Sequence, residues 1–298
     1  MTTKRRVRPG LTKMTTTRAT LAKRVLIMSS KAGSMTPEIE AKLRKAFADC
    51  LVLEFDPTED FEKLITPTAR VVVAGGDGTI GFVVRKLADS NHPVGLISMG
   101  TYNNFAAALK LPKSIDSAIE VARDGTARAI TLGRVNGTVF LEAAAIGLFG
   151  ETIAAGDSAK ERMYGDLAHD MKHVLEARPF EYKLSGDIVG SGSCMSLVFT
   201  NTSSIGTQMP ISDSTPLNPY LQLSVHAGKS RTDILRRMLA SAVLWRHQES
   251  GKGQVFHFRK LQVTTKPKVR IYADNVQVGR TPASLTAEIS ALKVLLSH

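Results

Sequence analysis

The sequence predicts an α/β fold, in which an N-terminal parallel-sheet domain is followed by an antiparallel β-sandwich-like domain. Short apolar runs alternate with helical patterns over residues 24–125, which is typical of βαβ units and a parallel sheet. After Thr131 several short strands follow with turn residues between them, as in an antiparallel sandwich. With 298 residues and 43% apolar composition, the chain is long enough to form two cores.

The first part of the chain contains four apolar runs and four helical segments. The runs are expected to be strands of a parallel sheet and cover residues 25–28, 51–55, 71–74 and 94–97. Thr36 and Pro37 suit the N-cap and first position of a helix, and Gly125 suits the end of another. The helical segments cover residues 37–47, 80–87, 105–111 and 114–125.

The second part begins at a predicted hairpin around Asn136-Gly137, the dipeptide that favours a two-residue β-turn. We place the domain boundary there, which gives a flexible basic tail at 1–21 and domains at 22–130 and 131–298. The last strand is a candidate to return to the first domain. A helical segment is expected at 158–177, and the later strands are expected at 197–200, 221–225, 255–258 and 269–272.

Charge favours an anionic partner. The net charge is +12, and nucleotide phosphate, acidic lipid headgroups and nucleic acid all qualify. Part of this charge lies in the tail, but no nucleic-acid recognition fold accompanies it, so nucleic acid is not expected. The two cysteines, Cys50 and Cys194, have no metal-binding or redox spacing, which favours a reducing cytoplasm.

The most informative motif is Gly75-Gly76-Asp77-Gly78-Thr79, between a predicted strand and a predicted helix. Glycines at a helix N-terminus let a polyphosphate approach the backbone N–H groups. The Asp77 carboxylate would repel such an anion unless a divalent cation lay between them. The motif therefore indicates Mg²⁺ with a nucleoside triphosphate, and the alternative is a glycine-rich turn without a ligand.

At this point the sequence resembles a known family. The GGDGT motif is shared by diacylglycerol kinase-like lipid kinases, NAD kinases and, more loosely, phosphofructokinases. The lipid kinases carry a second loop of the pattern P-x-G-T-x-N-D-F, and here Gly100, Thr101, Asn103 and Phe105 match it in Ser-Met-Gly-Thr-Tyr-Asn-Asn-Phe. An NAD kinase, which keeps GGDGT, fits this loop poorly. The chain is thus most similar to the lipid kinases.

The resemblance implies that ATP and Mg²⁺ bind between the GGDGT motif and the Gly100-Thr101 loop, with the lipid toward the sandwich domain. Thr101 and Asn103 would contact phosphate or ribose, and Thr58 would contact the nucleotide. The alternative for Thr101 and Asn103 is a turn that stabilises its own backbone. Asp77 would be a metal ligand.

Two departures from the family bear on catalysis. A metal-linked Asp-Gly pair is replaced around Asn218, and the Asp-Gly-Glu motif that supplies the base reads Asp274-Asn275-Val276. Valine accepts no proton, so Asp274 would take over as the catalytic residue, or Gln277 would orient the hydroxyl. The two departures also leave open a protein of weak or no activity that binds nucleotide or lipid as a sensor.

Two further segments carry alternatives. Residues 231–247 combine apolar and arginine positions, which suits either an amphipathic helix on an anionic membrane surface or a helix packed on its own sandwich. His169 and His173 lie four residues apart on a predicted helix, beside Asp170, which suits either a metal site, for which no third ligand is suggested, or a charged helix face. The expectation is a peripheral cytoplasmic enzyme that uses ATP and Mg²⁺ on a membrane lipid; a homodimer remains open.

Overall fold

The protein is described by a computed structural model that covers residues 21–152, 178–206, 208–226 and 255–297. Residues 1–20 of the basic tail, the predicted helix at 158–177 with its two histidines, and the segment at 231–247 lie outside the described residues. Within the described part, a parallel-rich sheet A and a separate antiparallel sheet B account for most strands. The predicted fold class is therefore confirmed.

Four neighbouring parallel strands of sheet A come from the first hundred residues. They lie side by side in the order β2-β1-β3-β4. Successive residues of β3 belong to different cores, Val71 and Val73 to one and Val72 to the other, which explains the continuous apolar run. The bounds are β1 Ala22–Met28, β2 Leu51–Glu54, β3 Ile65–Gly75 and β4 Pro93–Ser98.

Helices cover both faces of this parallel part. α1 begins after Thr36, whose Oγ1 accepts a hydrogen bond from the N–H of Ile39 at 3.3 Å. The third helix is shorter than predicted and ends before Lys110, which has a φ of 57°. In the part of the chain that the structure describes, no helix is long and apolar enough to cross a membrane. The bounds are α1 Pro37–Ala46, α2 Asp77–Leu87, α3 Asn104–Ala108 and α4 Ile115–Asp124.

The remaining strands form a sandwich. Sheet B has the order β14-β13-β10-β7-β16-β17, and its inner face packs on the antiparallel part of sheet A around Phe140, Phe199 and Phe258. The bounds are β5 Thr126–Val135, β6 Thr138–Phe140, β7 Ala143–Gly147, β8 Phe180–Gly186, β9 Gly190–Cys194, β10 Ser196–Thr200, β11 Ser204–Ile205, β12 Met209–Pro210, β13 Leu221–His226, β14 Val255–Phe258, β15 Lys260–Lys266, β16 Arg270–Ala273, β17 Val276–Arg280 and β18 Ala283–Leu296.

The last strand joins the two halves. β18 pairs in parallel with β4, with Val294 opposite Val94, and antiparallel with β5 and β15. β5 itself runs across position 130, where the sequence places the domain boundary. Sheet A therefore contains strands from both predicted domains, because strand pairing is decided by long-range packing rather than by position in the chain.

Candidate active site

The predicted phosphate loop lies at the carboxyl edge of the parallel sheet, between β3 and α2. Gly76 is the N-cap of α2 and its carbonyl accepts the N–H of Ile80 at 3.0 Å. Within the described chain no side chain caps this helix end. The first N–H groups of α2 are thus available to an anion, and the helix dipole favours negative charge there.

The second predicted loop packs directly against the first. The Asn103 side chain bridges the backbone of Gly100, since its Oδ1 accepts the Gly100 N–H at 2.9 Å and its Nδ2 donates to the Gly100 carbonyl at 2.8 Å. The Asn103 backbone N–H donates to Asp77 Oδ2 at 3.1 Å. Asn103 has a φ of 53°, the left-handed region that asparagine tolerates. Asn103 therefore shapes the loop and orients Asp77.

The other residues of the phosphate-loop prediction differ in exposure. A Cβ on Gly75 would lie 2.7 Å from the Cβ of Thr79, which is buried, so these two residues pack on each other. A Cβ on Gly78 would meet nothing within 4 Å, which leaves open space at the start of α2. Gly78 is thus the position of the motif where a ligand has most room.

Thr101 and Thr58 lie on the same edge of the sheet but farther out. Thr101 is exposed beside Gly33, where a Cβ would lie 3.8 Å from the Thr101 Oγ1. Thr58 is also exposed and donates to Asp56 Oδ1 through both its N–H, at 2.8 Å, and its hydroxyl, at 2.7 Å. Thr58 follows β2, two strands from the phosphate loop, so its assignment to the nucleotide stays a prediction.

A cavity of about 170 Å³ separates the phosphate loop from sheet B. One wall is formed by the start of α2 and by α3, and the opposite wall is formed by the start of β7, the end of β11 and the turn between β16 and β17. Polar groups enter from both walls. The charged or amide-bearing lining residues are Asp77, Arg85, Asn104, Glu142, Asp274 and Asn275.

Asp274 is at the centre of a dense hydrogen-bond network on the sheet B side of the cavity. Its carboxylate accepts the backbone N–H groups of Leu141, Glu142 and Ala143 at 2.9 to 3.3 Å. It also forms an ion pair with Arg85 of α2. Asp274 lines the cavity as the prediction requires, but its oxygen lone pairs are largely occupied by four donor groups.

Val276 and Asn218, the two departures from the family pattern, take no part in this network. Val276 begins β17 and is 57% exposed. The side-chain Oδ1 of Asn218 accepts the N–H of Thr215 at 2.9 Å. The backbone carbonyl of Asn218 accepts the Thr131 hydroxyl at 2.6 Å. Asn218 therefore closes a turn of its own chain segment.

Glu142 is a site residue that sequence reasoning missed. It is half-buried immediately before β7, and its Oε2 accepts a hydrogen bond from the Asn104 amide at 3.1 Å. Asn104 is 2% exposed and also donates to the Gly206 carbonyl at 2.9 Å. A sequence signal was present, because Glu142 is the single charged residue in the apolar run at 139–149, where a carboxylate is costly unless it has a role.

The environment of Glu142 favours its neutral form. Burial is the main cause, and the negative charges of Asp274 and Asp77 add to it, so that the pKa of the Glu142 carboxyl is raised to about 8. A backbone hydrogen bond from Gly206 and the Asn104 amide oppose the shift. A perturbed carboxyl in a cavity beside a phosphate loop is typical of functional sites.

The comparisons with known proteins agree with this geometry. Residues 25–135 match the family model of the diacylglycerol kinase catalytic domain. A diacylglycerol kinase of Bacillus subtilis is 35% identical over 219 residues, which cover 71% of this chain and 72% of the relative. The chain belongs to the diacylglycerol kinase-like lipid kinase family. The resemblance inferred from the two loops is thus confirmed.

Further members of the lipid kinase family extend the match over nearly the whole chain. A diacylglycerol kinase of Staphylococcus saprophyticus is 24% identical over 263 residues, covering 83% of this chain and 85% of the relative. The crystal structure of a diacylglycerol kinase from Bacillus anthracis superposes with a TM-score of 0.71 and 19% identity, over 93% of this chain and 98% of that chain. The latter likeness shows a shared fold.

Membership of a kinase family implies a nucleotide as phosphoryl donor and, typically, a divalent metal. Among the described residues no three His, Cys, Asp or Glu side chains are grouped to hold a metal ion. Mg²⁺ is commonly held by one or two carboxylates together with substrate phosphates. Asp77 beside the open space at Gly78 fits that arrangement, in which the nucleotide supplies the remaining ligands.

The raised pKa of Glu142 predicts how the stability of this lipid kinase depends on pH when no ligand is bound. Its folded-state pKa lies above its unfolded value of 4.5, so its stabilising contribution is complete below pH 4.5 and is lost as pH rises through about 8. Glu142→Gln should therefore be more stable than the wild type at pH 9, by a few kcal/mol at about 1.4 kcal/mol per pKa unit. Calorimetric melting of the wild type and of Glu142→Gln at pH 4.5, 7 and 9 measures this difference. Equal melting temperatures of the two proteins at all three pH values would contradict the prediction.

Proposed function

We propose that the protein transfers the γ-phosphoryl group of ATP, with Mg²⁺, to the hydroxyl of a membrane lipid of the diacylglycerol type. The observation that carries the proposal is the uncapped N-terminus of α2 beside Asp77, which faces the cavity between the two sheets. Phosphoryl transfer depends mainly on positioning and charge neutralisation, and the N-terminus of α2 would position the phosphates. Asp77 would hold Mg²⁺ against the phosphates.

The acceptor lipid would reach the cavity from the sandwich side. The wall opposite the phosphate loop is built from Leu141, Ala143 and Ile205, which are apolar, together with the carboxylates already described. The net charge of +12 favours association with an anionic membrane surface, where such a lipid resides. We therefore propose a peripheral association with the membrane.

The direct test is a transfer assay with γ-labelled ATP and Mg²⁺ against diacylglycerol, phosphatidylglycerol and sphingosine in mixed micelles. NAD serves as the soluble acceptor. Labelled phosphatidic acid is the expected product. Labelled NADP would indicate an NAD kinase instead, and ATP binding without transfer to any acceptor would indicate the sensor.

Gly78→Ala tests whether phosphates lie against the start of α2. The added Cβ meets no atom within 4 Å, so folding should be unaffected and helix propensity slightly improved. A phosphate approaching the backbone would collide with it, and ATP affinity should fall about tenfold, which corresponds to about 1.4 kcal/mol. Calorimetric titration with ATP and Mg²⁺ measures this.

Gly190→Ala is the matched control, because its Cβ also meets nothing within 4 Å but lies in the strand β9, away from the cavity. It should bind ATP as the wild type does. Unchanged ATP affinity in Gly78→Ala would show that the nucleotide binds elsewhere.

A further inference from the structure

We infer that Glu142 accepts the proton of the lipid hydroxyl during phosphoryl transfer, an inference that rests on the proposed function. Glu142 and the phosphate-loop residues Asp77 and Gly78 line the same cavity from opposite walls. A hydroxyl placed in that cavity would therefore lie between the γ-phosphate and the Glu142 carboxylate.

Asp274 is the other carboxylate on the same wall of the cavity. Asp274 already accepts three backbone N–H groups and the Arg85 guanidinium. Glu142 accepts one side-chain amide, from Asn104, and one backbone N–H, from Gly206. A carboxylate offers about four acceptor positions, so Glu142 keeps free capacity toward the cavity whereas Asp274 has little.

The hydrogen bond from Asn104 fixes the orientation of Glu142. Its partner Asn104 is itself held by the Ser204 hydroxyl at 3.1 Å and by the Gly206 carbonyl at 2.9 Å. Asn104 occupies the place of the aspartate in the family's second-loop pattern. Where that pattern has a carboxylate, this chain has the Asn104 amide, which holds the Glu142 carboxylate in place by the hydrogen bond at 3.1 Å.

The transfer forms one bond to the γ-phosphorus and breaks another. The hydroxyl oxygen forms a bond to the γ-phosphorus, and the bond from that phosphorus to the bridging oxygen breaks with its electron pair leaving on ADP. The hydroxyl proton passes to Glu142, which releases it to water before the next turnover. Asp274 is then a positioning residue, because it fixes the backbone N–H of Glu142 at 2.9 Å.

Burial raises the pKa of Glu142 to about 8 in the ligand-free protein, close to the range in which a general base works best. The charged or titratable groups that line the cavity with it are Asp77 and Arg85 of α2, Tyr102 of the second loop and Asp274 of the β16–β17 turn. We expect the turnover number of the wild type to rise with pH as Glu142 loses its proton. In Glu142→Gln this rise should be absent.

The test compares the wild type and Glu142→Gln in the transfer assay and in calorimetric titration with ATP and Mg²⁺. Turnover should fall by about 10²- to 10⁴-fold, the usual contribution of a general base, while ATP affinity stays unchanged. Glu151→Gln is the matched control, since Glu151 is a buried glutamate beside sheet B that accepts the Tyr272 hydroxyl and lines no part of the cavity. It should retain wild-type turnover.

Three outcomes would overturn the inference. Turnover in Glu142→Gln close to that of the wild type would show that another group accepts the proton. A loss of Mg²⁺-dependent ATP affinity parallel to the loss of turnover would make Glu142 a metal ligand instead. A wild type that phosphorylates no lipid would remove the proposed function and this inference together, whereas the first two outcomes leave the proposed function standing.

Discussion

Asp274→Ala is expected to abolish phosphoryl transfer and to lower the free energy of unfolding by about 3 kcal/mol or more. The carboxylate connects α2 to sheet B through Arg85 and fixes the N–H groups at 141–143. Removing it leaves three backbone donors and a guanidinium without their acceptor. Urea unfolding and the transfer assay measure the two effects.

Arg85→Met separates the ion pair from the backbone contacts. This variant keeps an apolar stem on α2 and leaves Asp274 with its three N–H donors, so it should lose less stability than Asp274→Ala. If Asp274→Ala unfolds at the same urea concentration as the wild type and still transfers phosphate, the network has no structural or catalytic role.

Asp77→Asn is expected to remove the Mg²⁺-dependent part of ATP binding and to reduce turnover by about 10²- to 10³-fold, as the loss of one electrostatic group at a transferring phosphoryl does. The amide preserves the shape of the side chain and its contact with the Asn103 N–H, which lies 3.1 Å away. The reduced ATP binding and turnover would therefore come from the lost negative charge and not from a changed shape. Titration with ATP, with and without Mg²⁺, isolates it.

Asp116→Asn is the matched control for this change. Asp116 is likewise the acidic residue in the first turn of a helix, α4, but its side chain is 70% exposed and pairs with Lys42. Both variants lose the same favourable interaction with a helix dipole. Equal, metal-dependent ATP binding by Asp77→Asn and the wild type would mean that the phosphate loop is wrongly assigned.

These residues place three carboxylates, those of Asp77, Glu142 and Asp274, around one small cavity in which Arg85 is the one arginine among the described lining residues. Such a concentration of like charge is unfavourable for folding, and the raised pKa of Glu142 expresses part of that cost. A bound cation between Asp77 and the phosphates would relieve it. Without that cation, the repulsion between the carboxylates lowers the free energy of unfolding. Such a cost is common at active sites.

The sequence by itself determined the local elements and the phosphate loop. The apolar runs at 25–28, 71–74 and 94–97 each lie within a strand, Thr36 caps α1, and Asn136 and Gly137 form the hairpin turn with φ values of 48° and 84°. These features depend on side-chain period, capping and backbone sterics within a few residues. Such information is complete in a short stretch of chain.

Only the tertiary structure decided which distant groups meet. Arg85 and Asp274 are 189 residues apart, and Glu142 is 38 residues from the Asn104 amide that holds it. β18 joins β4 across a similar span of the chain. The pKa of Glu142 depends on burial by these same contacts. Periodicity reveals which face of an element is apolar, but not the partner against which it packs, since that choice is made by the packing of the whole chain.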